Sequence, residues 1–505
     1  MACLIVCLFV VLGLERAAAS IIQSAPQQSA ANKAPDDEKD VRPLELGKSI
    51  EREIAGRQNQ LYQIALTEGQ YLKVIVEQRG INIGVQLRGP DGKLIFEFDD
   101  EIRKRGEEIA SLVAESSGIY RLSVQTKQND SSNGRYAIKV VELRTATEQE
   151  ITLQEARRLN TESVRLWRAG KYNEAFPLAE RALEMREKVL GPAHPNVAQS
   201  LNNLANLYLA RNDFAMTESL YLRALEIREK ALGPDHPDVA GSLNNLANIY
   251  RVKKDHAKAE LLFQRAVGIR EKVLGPDHPD VANPLNNLAM IYSEKGSYTE
   301  AELLFQRALG IREKALGPNH PDVARSLNNL ANLYRVKEDY AKAQLLYQRA
   351  LGIMDKVFPD HPDTTMLANF LAEIYWQRGD YEKAEPLYQR VLKIRESSLG
   401  PNHPDVARSL NGLAALYWEM DDDKKAEPLY QRALEIREKA LGSDDPEVAQ
   451  SLYNLALLYR TRGDYAKAEL LNQRALMIGE KALGAEHLGV AGSIHSLGVL
   501  YWLKG

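Results

Sequence analysis

Asn203, Asn245, Asn287 and Asn329 recur 42 residues apart, each as the second asparagine of the text "LNNLA". A carboxamide presents two N–H donors and a carbonyl acceptor, so a row of them can bond both the N–H and the C=O of an extended peptide whatever its side chains are. A second row follows three residues on, at Asn206, Asn248 and Asn332, with Met290 in the third place. Phe370 and Gly412 then interrupt the first row before Asn454 resumes it, and Met366, Phe370, Trp376 and Trp418 make that stretch more apolar. Aromatic side chains of this kind anchor many interfaces, and Arg325 and Arg408 add cations that could meet a ligand carboxylate. These residues form the expected peptide-binding set.

Other chemistry is not written here. The chain has no Gly-x-Ser-x-Gly, no phosphate-cradling GxxxxGK[ST] and no HExxH. Both cysteines, Cys3 and Cys7, lie in the first twenty residues, which removes disulfides, cysteine-zinc sites and cysteine nucleophiles from the rest. Asp99, Asp100 and Glu101 lack EF-hand spacing and read as a solvated acidic loop. The expectation is a non-enzymatic protein with no catalytic residue, no metal and no cofactor.

The elements that position the asparagines are helices. Leu201, Leu204, Ala205 and Tyr208 follow the i, i+3, i+4, i+7 pattern of a buried face. At 100° per residue, positions 199, 203, 206 and 210 lie opposite. A second helix carries Ala259, Phe263 and Ala266 on one face, and its alanines let backbones approach to the lower end of about 8–10 Å. It ends at "LGP", where glycine can take a left-handed cap and proline forbids continuation. Pro237 and its counterparts then occupy the first turn of the next helix, with Asp238 where the macrodipole favours an anion.

The unit repeats. Histidines of the "GPDHPD" text fall at 194, 236, 278, 320, 361, 403 and 487, with Asp445 once in their place, a spacing of 42 residues shortened once to 41. Recurring at every inter-repeat loop, these histidines read as joint chemistry and not as metal ligands. Stacked pairs would turn the asparagine strip toward a concave groove. The other member of each doublet, Asn202, Asn244, Asn286, Asn328, Asn369 and Asn411, points sideways and is expected to bond a neighbouring helix or loop.

This text resembles the tetratricopeptide repeat: Leu204, Ala205, Tyr208, a turn glycine or its substitute, Ala259, Phe263, Ala266. With "LNNLA", "YQRALxIREKxLGPDHPDVA" and the 42-residue period it is most similar to repeats of kinesin light chains and their bacterial relatives, over residues 151–505. The resemblance implies that Asn203, Asn245, Asn287, Asn329 and Asn454 grip a peptide ligand.

Residues 44–144 read differently. "YLKVIVEQ", "KLIFEF" and "YAIKVVEL" alternate with period two between turns such as Gly89–Lys93 and Ser131–Arg135, which predicts an antiparallel β-sandwich of about eight strands. It resembles the pre-peptidase C-terminal type appended to exported bacterial proteins. Residues 1–19 hold an apolar run, Ala2–Leu14, and an Ala-x-Ala pattern suited to a secretory leader, and 20–43 read as a flexible linker. The expected fold is therefore α+β multidomain, a β-sandwich followed by an all-α superhelical solenoid of eight helix pairs plus a ninth first helix.

With 44% hydrophobic and 27% charged residues and a net charge of -4, the composition is that of a soluble protein with no expected nucleic-acid partner and no membrane insertion of the mature chain. The expected partner is a peptide or protein. Leader, β-sandwich and repeats together resemble the front part of bacterial CHAT-type peptidases, which makes the regulatory portion of such an enzyme the second expectation. Self-association through the uncovered last helix is the third.

Overall fold

The computed structural model describes residues 41–504 apart from 56–57, 82, 99–104 and 127–133. The leader, most of the linker and the acidic loop at 99–101 lie outside these residues, as does part of the turn at 131–135. The chain divides into two compact units, meeting at Gly317 and Pro318 within an inter-repeat turn.

The first unit opens with nine strands: β1 Arg42–Pro43, β2 Ser49–Ile54, β3 Asn59–Leu66, β4 Gln70–Arg79, β5 Ile83–Arg88, β6 Leu94–Phe98, β7 Arg105–Val113, β8 Gly118–Thr126 and β9 Gly134–Thr145. They make two sheets, ordered β1-β3-β8-β5-β6 and β2-β9-β4-β7. Period-two alternation puts Leu72, Val74 and Val76 of β4 into one core with Ile83, Val85 and Leu87 of β5 and Leu122 and Val124 of β8. The pairing differs from the antiparallel expectation at one edge, where β1 runs parallel to β3. The Gly89–Lys93 turn closes as read, Asp91 Oδ1 accepting from Lys93 N at 3.0 Å.

Seventeen α-helices follow among the described residues, arranged as successive antiparallel pairs. The first pair is Glu148–Arg168 and Tyr172–Leu190, and Pro195–Ala210 with Phe214–Leu232 sets the pattern for the rest. Six first helices, those after His194, His236, His278, His320, His361 and His403, start with proline after a histidine whose Nδ1 accepts from the N–H two residues on, as His236 does from Asp238 at 3.2 Å. Asp445 makes the same cap to Glu447 at 2.8 Å. Leu201, Ala205, Ala259, Phe263 and Ala266 are all fully buried.

Two details depart from expectation. The glycine after each second helix is not in the left-handed helical region: Gly191, for example, has φ 82° and ψ 156°, an extended mirror conformation essentially restricted to glycine. The 41-residue step arises where this glycine is missing, and Phe358 ends helix Tyr340–Val357 at φ -144° instead.

Candidate functional site

Because the first helices from Pro195 to Thr461 start at equivalent caps, the ninth and twelfth residues after the cap come round on the same side in each of these copies. The ninth residues are Asn203, Asn245, Asn287, Asn329, Phe370, Gly412 and Asn454, all half-buried.

The doublet turns out to be a joint as well as a surface. Asn203 Nδ2 donates to Asn160 Oδ1 on the preceding first helix at 2.9 Å, and Asn287 Nδ2 donates to Asn244 Oδ1 at 2.9 Å. In these two joints the second asparagine of one copy bonds the asparagine at the first-asparagine position of the copy before it. Each still has its own carbonyl oxygen and one Nδ2 hydrogen, and Asn245 makes no side-chain bond among the described residues. Asn329 accepts from Asn328 at 3.5 Å and Asn454 from Gln450 at 2.9 Å.

The twelfth position is tuned to the second helix of its own pair. Tyr221 donates its hydroxyl to Asn206 Oδ1, and Tyr347 donates to Asn332 Oδ1 at 2.7 Å. Where the ring is Phe263 and has no hydroxyl, Asn248 donates instead to its own helix at Asn244 O, 3.0 Å away. Burial pushes the Tyr221 and Tyr347 hydroxyls well up, so both stay neutral donors.

Both expected arginines already carry an ion pair within their own helix. Arg325 Nη1 pairs with Asp322 at 3.0 Å and Arg408 Nη1 with Asp405 at 2.7 Å, each on the first turn of its own helix. An acid three residues N-terminal is within reach of any arginine on a helix, and the reading of isolated positions overlooked it. Phe370 packs against Tyr347 with ring centroids 5.7 Å apart. Trp376 is half-buried, and Trp418 Nε1 donates to Thr461 Oγ1 at 3.3 Å. Of the expected residues, Asn203, Asn206, Asn245, Asn248 and Asn287 belong to the first compact unit and the others to the second.

The tetratricopeptide repeat pattern matches residues 163–230, 213–272, 238–314, 280–356, 363–439 and 423–481. The chain belongs to the tetratricopeptide repeat family. Nephrocystin-3 of Xenopus laevis is 44% identical over 52 residues, which is 10% of this chain and 4% of that protein. A Podosopora anserina protein of nearly identical, kinesin light chain TPR-like repeats is 27% identical, covering 41% of this chain and 97% of its own at a TM-score of 0.37. A signal transduction ATPase with a tetratricopeptide repeat sensor, from Pyrococcus horikoshii, is 18% identical, covering 71% of this chain and 50% of its own at a TM-score of 0.51. The chain thus spans far less than two thirds of the nephrocystin-3 it matches. Tetratricopeptide repeats imply a protein-interaction scaffold.

In this tetratricopeptide array, reading the sequence missed two sets of polar residues. One is a buried arginine on the second helices: Arg437 Nη1 donates to Ser451 Oγ at 2.8 Å and Glu447 O at 2.9 Å across the joint to the next pair. Its column, Arg186, Arg228, Arg270, Arg312, Arg395 and Arg437, was visible in the "IRE" text, which reads "MRE" at Arg186. The other is Glu373, which replaces asparagine or methionine at the twelfth position. Among the described residues no helix is long and apolar enough to cross a membrane.

Proposed function

We propose that this protein is a non-enzymatic scaffold whose first-helix strip holds an extended segment of a partner protein by its main chain. The observation that carries the reading is the column Asn203, Asn245 and Asn287. These half-buried carboxamides recur at one-repeat intervals on a common helix face, with donor and acceptor atoms beyond those used in the joints. Membership of the tetratricopeptide family supports the scaffold role. The test is a chain with Asn203, Asn245 and Asn287 all changed to Ala, compared in partner pull-down and in thermal melting with Asn244→Ala. The triple variant loses capture beyond what its melting explains, whereas Asn244→Ala loses the joint bond and keeps capture; equal capture by all three proteins refutes the reading. The leader-like residues 1–19 point to export, checked by sequencing the N-terminus of secreted protein.

A second reading, self-association, rests on helix Leu488–Lys504. Ile494 is 50% and Trp502 80% exposed, while Leu452, at the equivalent of Ile494 one repeat earlier, is fully buried. A large exposed apolar face of this kind marks an interaction surface. Light scattering that shows a monomer at high concentration eliminates it.

A further inference from the structure

Repetition supplies an internal measure of what each position needs for folding, and the strip departs from it in one place. Nine residues after the cap, Phe370 and Gly412 stand where five other copies carry asparagine. Twelve after it, Glu373 and Ala415 follow Asn206, Asn248, Met290 and Asn332, and fifteen after it Trp376 and Trp418 appear. All lie in the second compact unit.

The departures meet in space. Phe370 packs on Tyr347, and the Arg335 guanidinium lies 5.8 Å from the Phe370 ring centroid. One Glu373 oxygen accepts from Asn369 Nδ2 at 2.7 Å; among the described residues no cation pairs with the carboxylate. Two arginines act on it through space without pairing with it, and the buried Arg335 Nε has no hydrogen-bond partner among the described residues. Arg395 Nη1 donates to Ser409 Oγ at 2.7 Å, and Arg335 is held over Phe370 beside the Tyr347 hydroxyl. Glu373 is half-buried, and desolvation raises its carboxyl above the ordinary range in spite of both cations. Beside it the buried Tyr388 is pushed up by burial and by Glu373. A Cβ on Gly412 would stand 3.3 Å from the Tyr388 ring, so the glycine lets that ring reach the strip where asparagine stands in other copies.

We propose that Glu373, flanked by Phe370 and Tyr388, receives a lysine or arginine side chain of the held segment, making the partner's anchor residue basic. The cation gives the carboxylate an ion pair that neither arginine makes, and the half-buried Phe370 ring covers the aliphatic stem. Acidic or apolar side chains gain neither. This inference rests on the reading that a peptide segment lies along the strip.

The test is selection of a phage-displayed random dodecapeptide library on the full chain and on Glu373→Gln and Glu373→Asp, each first checked by its melting curve. Wild type and Glu373→Asp enrich peptides with lysine or arginine at one register position; Glu373→Gln still enriches peptides but without that preference. Replacing the basic residue of an enriched peptide by norleucine weakens binding to wild type at least tenfold and leaves binding to Glu373→Gln unchanged. Enrichment without a basic preference, or a preference that survives Glu373→Gln, overturns this inference and leaves the peptide-holding reading standing. If wild type enriches no peptide, that reading falls and this one with it.

Discussion

Lys254 and Glu338 occupy the left-handed region at φ 62° and 59° in the turn between the two helices of their pairs, where other copies place Gly296, Gly379 and Gly463 at 75–79°. An L side chain there crowds the following carbonyl, so Lys254→Gly and Glu338→Gly are each expected to add about 1 kcal/mol of stability, read from the urea midpoint. At the other end of the pair, His278 Nδ1 accepts from Asp280 N at 3.2 Å, which requires an unprotonated Nδ1. Burial holds this imidazole below its ordinary range, with the Asp280 carboxylate opposing and Arg270 assisting. The unfolded chain therefore binds more protons, so the contribution is intact above about pH 6.5 and is lost as pH falls through the folded value. Relative to His278→Asn, whose carboxamide also caps, wild type loses stability between pH 7 and 5 in urea titrations; parallel curves would contradict this. The helix start was legible from proline and the acid after it, whereas the capping role of the histidine, two residues before its donor, was read only as joint chemistry. The fate of the asparagines was not legible, because Asn203 and its partner Asn160 are 43 residues apart.

Between elements, the recurring joint is a buried arginine reaching forward to the next first helix. Desolvation pulls Arg186 down to about 10 and lowers Arg228, Arg395 and Arg437 as well. Such a group is costly to strand and not costly to replace by matched apolar residues. The protein contains that replacement: Met354 and Leu367, each 3% exposed, occupy the places of Arg437 and Ser451. Arg437→Ala is expected to destabilise the chain by about 2–3 kcal/mol, since the Ser451 hydroxyl and Glu447 carbonyl lose a charged donor and a cavity opens. Arg437→Met with Ser451→Leu is expected to recover most of that loss, which a double-mutant cycle in urea measures. Other joints are clasps on the exposed side. Glu218 accepts from Tyr250 at 2.8 Å and Lys253 at 2.6 Å, and Glu260 does the same for Tyr292 and Lys295 at 3.0 and 2.7 Å.

Within the first unit the β domain is tied to the first helix through its open edge. Gln154 Oε1 accepts from Val113 N at 2.5 Å while its Nε2 donates to Val113 O at 2.6 Å, as another strand would, and Arg157 donates to Ser111 O at 3.0 Å. The edge strand β7 is thereby covered, as edges must be to avoid stray pairing. Arg144 at the end of β9 pairs with Glu150 at 2.7 Å and, with the Thr147 cap, brings the Glu150 carboxyl down to about 2. A depressed acid stabilises the fold above about pH 4.3 and ceases to as pH falls toward its folded value. Protection factors of residues 148–168 are therefore expected to drop between pH 4.5 and 2.5, and Arg144→Leu to lower them already at pH 7; pH-independent protection would count against the tie. At the scale of the whole chain, the sequence determined the helices, their caps, their pairing and the repeat, because periodicity and turn chemistry act between residues a few positions apart. It also determined the alternation that builds two sheets. Tertiary structure alone decided which atoms of the asparagine doublets are used in joints, which arginines carry ion pairs, how Gln154 meets β7, and that Glu373 forms no ion pair among the described residues. Each depends on the register between elements separated by tens of residues, and no local pattern encodes that register.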